Sequence, residues 1–287
     1  MRTLLITGAS GFVGRNLAEF FSGRWSVVAT SFKSDVPNSI ELDVRNADAV
    51  HSSFEQAAPD VVIHAAGNKN VRFCEEHPEE ANEINAIGTK NVARACRELG
   101  AHLTYLSTDL VFDGQRGHYQ EDEHPRPTSA YGISKLAGEK LARAELPAVA
   151  VCRSAGIYGK RSPLLRWLSD ELNAGRAVDC FTDVYNSPTY VENLGEMIQT
   201  IIDERLSGIF HTEGRERVSR FEFFQTYART FGLNQELLKP VAAAELKTQL
   251  WLQPDSSLSV SQTANKLAIE FNSVAEGFER LKSAGGL

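Results

Sequence analysis

The sequence predicts an α/β fold in which a Rossmann-type, doubly wound parallel sheet is followed by a small mixed α/β C-terminal lobe. Three observations predict it. Short β-branched runs alternate with longer helical stretches in the first half, a glycine-rich turn joins the first run to the first helix, and the alternation loosens beyond about Tyr158. Right-handed crossovers between parallel strands leave few other arrangements for this pattern.

Each element of the first half follows from its local pattern. The β-branched runs predict strands at Thr3–Ile6, Ser26–Thr30, Val61–His64, Leu103–Leu106 and Ala148–Cys152. The amphipathic stretches between them predict helices at Gly11–Phe21, Ala47–Ala57, Ala81–Leu99 and Ala130–Ala144.

The second half is less regular. Helices are expected at Pro163–Ala174 and near Glu192–Asp203, Arg220–Phe231 and Ser273–Lys282, with one strand at Gly208–His211. We place one approximate domain boundary, with residues 1–158 in the Rossmann-type domain and residues 159–287 in the lobe. A later segment of the chain can return to the Rossmann-type sheet. The lobe is expected to cap the carboxyl edge of the sheet, where ligands bind in open α/β folds.

The composition argues against several classes of partner. The 287 residues include 30 Lys and Arg against 37 Asp and Glu, a net charge of −7, which offers no basic stripe for a nucleic-acid backbone. No apolar run has transmembrane length, the N-terminus lacks a secretion-signal pattern, and the histidines suggest no metal site. We expect a cytoplasmic protein without a nucleic-acid or membrane partner. Its four cysteines are expected to be reduced and packed: Cys74, Cys96, Cys152 and Cys180.

The turn TGASGFVG near the N-terminus is a candidate anion site, because it follows a predicted strand and opens a predicted helix. Gly8 permits the tight turn, Gly11 lets the backbone approach a pyrophosphate, and Gly14 permits close packing of helix on strand. Free N–H groups where the helix opens, around Phe12 and Val13, can hold the anion. The turn therefore predicts a bound dinucleotide, although a strand-to-helix turn without a ligand can carry the same glycines.

The second predicted strand ends without the carboxylate that would repel a 2′-phosphate. Its end and the following loop read TSFK, from Thr30 to Lys33. The Ser31 hydroxyl and the Lys33 ammonium can bind such a phosphate, which favours NADP over NAD as the cofactor, with NAD still possible. Lys33 is otherwise an ordinary exposed lysine. Asp43 and Val44 come where a short loop can reach an adenine, and Asp43 can equally cap the next helix.

Tyr131 and Lys135 form a candidate acid–base pair. They lie at i and i+4 at the start of a predicted helix, so they project from one face about one turn apart. A neighbouring ammonium stabilises a phenolate and brings the phenol pKa towards the working range. Thr108 follows the fourth predicted strand and can donate a hydrogen bond to a carbonyl oxygen. The pattern predicts that Tyr131 protonates this oxygen during hydride transfer; exposed helix residues and a capped loop are the structural alternatives.

Six motifs taken together resemble those of the extended short-chain dehydrogenases/reductases. They are TGASGFVG, HAAG at His64–Gly67, NAIGT at Asn85–Thr89, STDLVFDG, YGISKLAGEK and the R-x-x-x-x-Y-G stretch at Arg153–Gly159. More narrowly, the chain is similar to the dTDP-4-dehydrorhamnose reductase family from Met1 to about Val191, and more faintly in the tail segment LQPDSSLSV.

That resemblance implies both a reaction and a site. Thr108, Tyr131 and Lys135 would be the catalytic triad, with Lys135 also bonding the nicotinamide ribose. Three residues at the end of the third strand would line the cofactor: Ala65, Ala66 and Gly67. Members of the family reduce a 4-keto group of a nucleotide-linked deoxysugar with NADPH or NADH, and the second lobe holds the sugar nucleotide. The implied partner is therefore a small-molecule nucleotide-sugar.

The match weakens on the substrate side. Leu110 and Gly156 stand where the family has tyrosine and tryptophan, and cations follow HAAG where an acidic residue is usual. Four residues are candidate substrate contacts: Lys69, Asn70, Arg72 and Asn186. The two cations among them can bind a phosphate or carboxylate, or they are solvated loop residues.

Two other functions stay open. A sugar-nucleotide epimerase or dehydratase uses the same fold and tyrosine with a tightly held NAD, but the short chain and the missing ribose carboxylate count against it. A regulatory protein without turnover is the other, as the regulatory beta subunit of methionine adenosyltransferase is in this family. The intact Thr108, Tyr131 and Lys135 argue against that function. A homodimer is possible because related enzymes commonly pair through helices.

Overall fold

The computed structural model describes residues 2–33, 37–245 and 252–286. By its internal contacts the chain divides into two compact units that alternate along the sequence. The first contains Met1–Phe112, His124–Arg153 and Gly195–Phe210, and the second contains Asp113–Glu123, Ser154–Leu194 and His211–Leu287. The sequence places one boundary after Tyr158 and allows a return to the sheet, whereas the contacts return the chain to the first unit twice. Pairing between strands that are distant in sequence produces these returns.

The strands of the described chain are β1 (Thr3–Thr7), β2 (Ser26–Ser31), β3 (Ile40–Glu41), β4 (Val61–His64), β5 (His102–Thr108), β6 (Ala150–Tyr158), β7 (Val178–Phe181), β8 (Tyr185–Asn186), β9 (Pro188–Tyr190), β10 (Gly208–His211), β11 (Val218–Ser219) and β12 (Leu238–Val241). The helices are α1 (Phe12–Phe21), α2 (Ala47–Ala57), α3 (Val71–Glu76), α4 (Pro78–Asn82), α5 (Gly88–Leu99), α6 (Ala130–Glu145), α7 (Pro163–Asn173), α8 (Val191–Asp203), α9 (Arg220–Phe231), α10 (Ser261–Leu267) and α11 (Val274–Ser283). A π-helical turn at Glu83–Ile87 joins α4 to α5, and 3₁₀ turns occupy Asp109–Val111, Gln235–Leu237 and Ala243–Glu245.

The main sheet has the strand order β10-β6-β5-β4-β1-β2-β3. β1 pairs in parallel with β2 and β4, and β4 pairs in parallel with β5, so Val28, Leu5, Val62 and Leu103 form one row across four strands. Every residue of β4 and β5 is buried, as expected where helices flank both faces of a parallel sheet. The strand order reverses beside β1, where such folds bind nucleotides. The predicted Rossmann-type α/β fold is confirmed.

The second unit has its own core and short strands. β9 pairs with the part of β6 that belongs to this unit, where Pro188 lies opposite Ala155. β8 pairs with β11, and β7 pairs with β12. Side chains from α7, α9 and α11 pack around the buried rings of Tyr158 and Phe278, whose centroids are 4.8 Å apart.

The main departure from the predicted elements is the helix expected at Ala81–Leu99. In the structure α4, the π-helical turn and α5 follow one another without a break, beginning at Pro78. The Thr89 hydroxyl donates to the Asn85 carbonyl oxygen in the π-helical turn, at 2.7 Å. Hydrophobic periodicity alone does not reveal such a bond between a side chain and the helix backbone. The strands of two to four residues in the second unit were also missed, because such short runs carry little periodic signal.

Two further predictions concern compartment and cysteine state. None of the helices in the described ranges has the length and hydrophobicity needed to cross a bilayer. All four cysteines are buried and carry free thiols. The cytoplasmic location and the homodimer stay predictions.

Candidate functional site

A cavity of about 450 Å³ lies at the glycine-rich turn in the first unit. Most residues predicted to bind the cofactor line it: Gly8, Gly11, Phe12, Val13, Asp43, Val44, Ala65, Ala66 and Gly67. Two residues predicted to contact the substrate line it as well: Lys69 and Asn70. Several other lining residues were not predicted from the sequence: Phe32, Leu42, Arg45, Asn68 and Glu80. The cavity is therefore lined by residues that follow the carboxyl ends of β1, β2 and β4, together with the loop after β3.

Close backbone packing explains the glycines of the turn. Gly8 has a left-handed φ of 72°, and a Cβ atom there would lie 2.7 Å from the Cα and N atoms of Ala66. A Cβ atom on Gly14 would lie 2.4 Å from the Gly8 carbonyl oxygen. Only glycine fits both requirements at Gly8, namely the positive φ and the approach of a second backbone.

The start of α1 faces the same turn without a side-chain cap. Gly11 occupies the N-cap position and has no side chain to accept a hydrogen bond from the first turn, which also lacks an acidic residue. The N–H groups there have no intrahelical partner, and the helix dipole adds a partial positive charge. This end of α1 can therefore hold a phosphate.

Replacing Gly8 with alanine tests this geometry. We expect Gly8→Ala to weaken dinucleotide binding by at least about tenfold and to lower stability, because the clash with Ala66 displaces the turn. Gly100→Ala is the matched control, since Gly100 has a φ of 70° but nothing within 4 Å of its Cβ position. Isothermal titration of both variants should show impaired binding for Gly8→Ala alone; equal binding by the two variants would contradict the assignment.

The start of α6 is fixed at two points beside Tyr131. The Ser129 hydroxyl accepts a hydrogen bond from the Gly132 N–H at 3.1 Å, and the Glu75 carboxylate accepts one from the Ala130 N–H at 2.7 Å. These bonds satisfy two N–H donors that have no partner within the helix. The helix dipole also stabilises the negative charge of the Glu75 carboxylate at this end. Tyr131 is therefore held on a well-anchored first turn.

Thr108 and Asp109 lie beside Tyr131. The Thr108 hydroxyl donates to the Asp109 carboxylate at 2.8 Å and accepts from the Leu110 N–H at 3.2 Å. Burial raises the pKa of Tyr131 and the negative charge of Asp109 raises it further, while a hydrogen bond with Thr108 acts in the opposite direction. The Tyr131 phenol is therefore protonated at neutral pH.

Lys135 lies on the same helix, four residues beyond Tyr131. Its ammonium donates to the Leu106 carbonyl oxygen at 2.6 Å and lies 4.2 Å from the centre of the Tyr105 ring. Burial lowers its pKa to about 7, and the carboxylate of Glu139 acts against that shift. The lysine thus titrates near physiological pH, and its charge depends on Glu139.

Asn85 joins the cavity wall to α6 and was not predicted as a site residue. Its side-chain oxygen accepts from the Asn68 N–H at 2.7 Å, and its amide nitrogen donates to the Asn68 carbonyl at 3.0 Å and to the Ser134 hydroxyl at 3.0 Å. Ser134 in turn donates to the Tyr131 carbonyl oxygen at 2.8 Å. The NAIGT motif was the sequence signal that could have identified this asparagine.

A buried chain of hydrogen bonds runs from β1 to the π-helical turn through His64. Because the Thr89 hydroxyl donates to the Asn85 carbonyl, it accepts from His64 Nε2–H at 3.0 Å. His64 Nδ1 then accepts from the Thr7 hydroxyl at 2.7 Å, and Thr7 accepts from the Ala66 N–H at 3.2 Å. Burial lowers the pKa of His64 to about 3, with a further contribution from the Lys135 charge. His64 is therefore neutral and joins β1 to the π-helical turn through hydrogen bonds at both of its ring nitrogens.

The low pKa of His64 predicts a pH dependence of stability. Between about pH 3 and 6.5 the unfolded chain binds a proton at His64 that the folded chain does not bind, so stability falls as the pH drops through this window. His64→Gln is expected to reduce the slope of unfolding free energy against pH by about 1.4 kcal/mol per pH unit near pH 5. Urea unfolding between pH 4 and 6 measures the slope, and parallel slopes for the two proteins would rule out this source.

Ser31, Lys33 and Arg72 are not among the described residues that line the cavity, and Asn70 lines it but is also used to cap a helix. Ser31 is buried and donates to the Lys33 carbonyl oxygen at 2.7 Å, and neither residue is among the described residues that line the cavity. Arg72 is exposed and pairs with Glu76 at 2.9 Å. The Asn70 side chain accepts from the Phe73 N–H and caps α3. Their ligand-binding roles stay predictions.

Asn186 belongs to the second unit. It lies on β8 opposite Val218 of β11. A Cβ atom on Gly156 would lie 3.0 Å from the Asn186 amide nitrogen, and the φ of Gly156 is 50°. The absence of a side chain at Gly156 therefore leaves the Asn186 amide uncovered on that side.

Among the residues the structure describes, no group of three or more histidine, cysteine or acidic side chains could hold a metal ion.

Comparisons with known proteins identify relatives over nearly the whole chain. The family model described as "RmlD substrate binding domain" matches residues 1–283. The solved structure of dTDP-4-dehydrorhamnose reductase from Bacillus anthracis in complex with NADP superposes with a TM-score of 0.92 at 28% identity, covering 99% of this chain and 100% of that one.

Curated relatives carry two different descriptions. Methionine adenosyltransferase 2 subunit beta of Xenopus tropicalis is 31% identical over 253 residues, which are 84% of this chain and 75% of that protein. The probable low-salt glycan biosynthesis reductase Agl14 of Haloferax volcanii is 27% identical over 290 residues, covering 97% of each chain.

Proposed function

Because this chain belongs to the RmlD substrate binding domain family, which includes extended short-chain dehydrogenases/reductases, we propose that it reduces a keto group on a nucleotide-linked sugar. NADPH is the favoured reductant and NADH the alternative. Tyr131 donates the proton that the reduced oxygen requires. The solved Bacillus anthracis relative is a dTDP-4-dehydrorhamnose reductase in complex with NADP, which supports both parts of the proposal.

The observation that carries the proposal is the cavity at the glycine-rich turn. A nicotinamide dinucleotide fits the residues there, because the glycine-rich turn lines the cavity and the N–H groups at the start of α1 lack a side-chain cap. Gly11, Phe12 and Val13 would hold its pyrophosphate. Asp43 would reach the adenine end, where it lines the same cavity.

A bound nicotinamide supplies the hydride to the carbonyl carbon, and the protein supplies the proton. The phenol of Tyr131 stays protonated at neutral pH, since burial and the charge of Asp109 hold its pKa above the ordinary value. As Tyr131 gives up its proton, the ammonium of Lys135 on the same helix face stabilises the phenolate. Lys135 would also bind the ribose hydroxyls.

Thr108 would act on the carbonyl before the proton moves. Its hydroxyl donates to Asp109 in this structure, so donation to a substrate oxygen requires it to exchange that partner. The exchange places a hydrogen-bond donor where negative charge develops, which lowers the energy of the transition state. Thr108 therefore polarises the carbonyl, while Tyr131 completes the reduction.

Four polar residues are the candidate contacts for the substrate. Lys69 is exposed at the cavity wall and has an unpaired ammonium in the described contacts, so it can meet a phosphate. Asn70 and Arg72 follow it at the start of α3, and Asn186 of the second unit offers an amide beside Gly156. We assign Lys69, Asn70 and Arg72 of the first unit to the nucleotide-sugar, and a substrate contact by Asn186 stays a prediction made from the sequence.

A direct assay tests the function. Oxidation of NADPH is followed at 340 nm against a panel of 4-keto and other keto nucleotide-sugars, with unlinked keto sugars as the comparison. We expect turnover only with nucleotide-linked ketones. An unchanged absorbance across the panel would refute the proposed reaction, and interconversion of sugars with a retained NAD would identify an epimerase instead.

A regulatory role is the second candidate, favoured by the relatives described as methionine adenosyltransferase 2 subunit beta. The chain would then bind the nucleotide without turning it over and act on a catalytic subunit. Size-exclusion chromatography with a methionine adenosyltransferase from the same source discriminates the two. A stoichiometric complex together with no turnover supports the regulator, whereas turnover without a complex supports the reductase.

A further inference from the structure

The sequence places the group that recognises the adenosine 2′-position at the end of β2, and the structure offers a different group. Lys33 is exposed and is not among the described residues that line the cavity, while the hydroxyl of Ser31 is buried and used within its own loop. Arg45 lies in the loop after β3, and β3 pairs in parallel with β2 so that Glu41 is opposite Ser31. Arg45 therefore reaches the same end of the cavity from the neighbouring strand.

The guanidinium of Arg45 is positioned at the cavity wall by three neighbours. Its Nε and Nη2 donate to the Asp43 carboxylate at 2.9 and 2.7 Å. Its Nη1 lies 3.7 Å from the carboxylate of Glu80, and its central carbon lies 5.5 Å from the centre of the Phe32 ring. Phe32 is the residue directly after β2 and is 54% exposed. All four side chains line the cavity.

We propose that Arg45 is the residue that distinguishes a dinucleotide phosphorylated on its adenosine 2′-oxygen from one with a free 2′-hydroxyl. The inference rests on the proposed nucleotide-dependent function and adds the specificity determinant. It names a residue of the loop after β3 in place of the predicted lysine at the end of β2.

The present partners of Arg45 leave it available to a phosphate. The side chains of Arg45 and Asp43 are about one-third exposed, at 34% and 33%, and that of Glu80 is 50% exposed. Ion pairs at such sites contribute little to stability, so exchanging one for another partner costs little. A phosphate dianion offers a guanidinium a bidentate, doubly charged acceptor, which is a stronger partner than a carboxylate. Asp43 and Glu80 thus hold the guanidinium in place until a phosphate replaces one of them.

Asp43 gains a role from the same exchange. Its pKa lies below the ordinary value because Arg45 donates side-chain hydrogen bonds to it, so it is ionised at neutral pH. Once Arg45 turns to a phosphate, the carboxylate becomes free to accept a bond from an adenine amine. One loop would then contact both features of the nucleotide end.

Binding measurements on the intact protein test the proposal without relying on turnover. Dissociation constants are measured by titration calorimetry for NADPH and NADH, and for adenosine 2′,5′-bisphosphate against ADP. We expect Arg45→Gln to weaken binding of the two 2′-phosphorylated ligands by about 30-fold, the usual size of a lost charge-assisted hydrogen-bond pair, and to change the other two by less than about threefold.

Three further variants make the result specific. Arg94→Gln removes another ion-paired arginine of the first unit, whose Nε donates to Glu98 at 3.0 Å outside the cavity lining, and we expect it to retain the discrimination. Lys33→Gln tests the rival at the end of β2, and we expect a smaller effect than for Arg45→Gln. Arg45→Lys should restore part of the preference, since it returns the charge without the bidentate fork.

Three results would overturn the proposal. They are equal weakening of phosphorylated and unphosphorylated ligands by Arg45→Gln, loss of discrimination in Lys33→Gln alone, and a wild-type protein that binds NADH as tightly as NADPH. The last would mean that the carboxylates of Asp43 and Glu80 dominate this end of the cavity. A protein that binds no dinucleotide at all would refute the proposed function as well, which separates that failure from the failure of Arg45 alone.

Discussion

Replacing Tyr131 with phenylalanine is expected to lower kcat for reduction of a keto nucleotide-sugar by about 10²–10⁴-fold, the usual contribution of a positioned general acid. The substitution removes the proton donor, while the caps from Ser129 and Glu75 still anchor the first turn of α6. Binding of NADPH should therefore be nearly unchanged. Steady-state assays and a separate titration of the nucleotide measure the two quantities.

The control for this experiment removes a phenolic hydroxyl elsewhere. Tyr227 of α9 is buried, and its hydroxyl shares a hydrogen bond of 2.6 Å with Ser169. Tyr227→Phe should cost some stability and leave kcat close to that of the wild type. If Tyr131→Phe retained more than about a tenth of the wild-type kcat, Tyr131 would not be the principal proton donor.

Removing the carboxylate of Glu139 is expected to cause the largest loss of stability. Arg153 donates to Glu139 through Nε at 3.0 Å and Nη2 at 2.8 Å, and the two side chains are only 1% and 4% exposed. Ser107 also donates to this carboxylate, at 2.5 Å. Glu139→Ala removes the carboxylate that pairs with this buried guanidinium, and breaking a buried ion pair costs about 3–5 kcal/mol in comparable cases. Urea unfolding at pH 7 measures the change.

The same residue gives a second readout through Lys135. The negative charge of Glu139 raises the pKa of Lys135 against the effect of burial, so Glu139→Gln should move that pKa below about 7. If the ammonium assists catalysis, the alkaline limb of the pH–rate profile shifts to lower pH in this variant. A purely structural role would lower stability and leave the profile in place.

Glu76→Ala is the control for the loss of an ion pair. Glu76 accepts from Arg72 at 2.9 Å, but both side chains are at least half exposed. Water and salt screen such a pair, so its removal should leave the urea midpoint within experimental error. A comparable loss in both variants would show that burial does not control the cost in this protein.

Local sequence was sufficient wherever one segment supplied the whole signal. The glycine-rich turn was predicted from adjacent residues, and in the structure it lines the cavity while Gly8 and Gly14 are packed closely against backbone. The long strands and helices of the first unit followed from their periodicity for the same reason. The i, i+4 spacing of Tyr131 and Lys135 likewise places both side chains on one helix face, since helical geometry alone fixes that relation.

Contacts between distant segments were beyond the reach of such patterns. Arg45 and Phe32 meet because β3 pairs with β2, and Asn85 reaches Asn68 and Ser134 across 17 and 49 residues of sequence. The orientation of the Thr108 hydroxyl towards Asp109 depends on a single rotamer. None of these arrangements leaves a periodic trace.

The sequence by itself determined the Rossmann-type sheet, its glycine-rich turn and the candidate acid–base helix, because backbone sterics and hydrophobic periodicity act within one segment. Only the tertiary structure decided which cation lines the nucleotide cavity, which asparagine joins that cavity to α6, and how the chain alternates between two units. Those outcomes depend on strand pairing and on the burial of charges, which are properties of the folded chain as a whole.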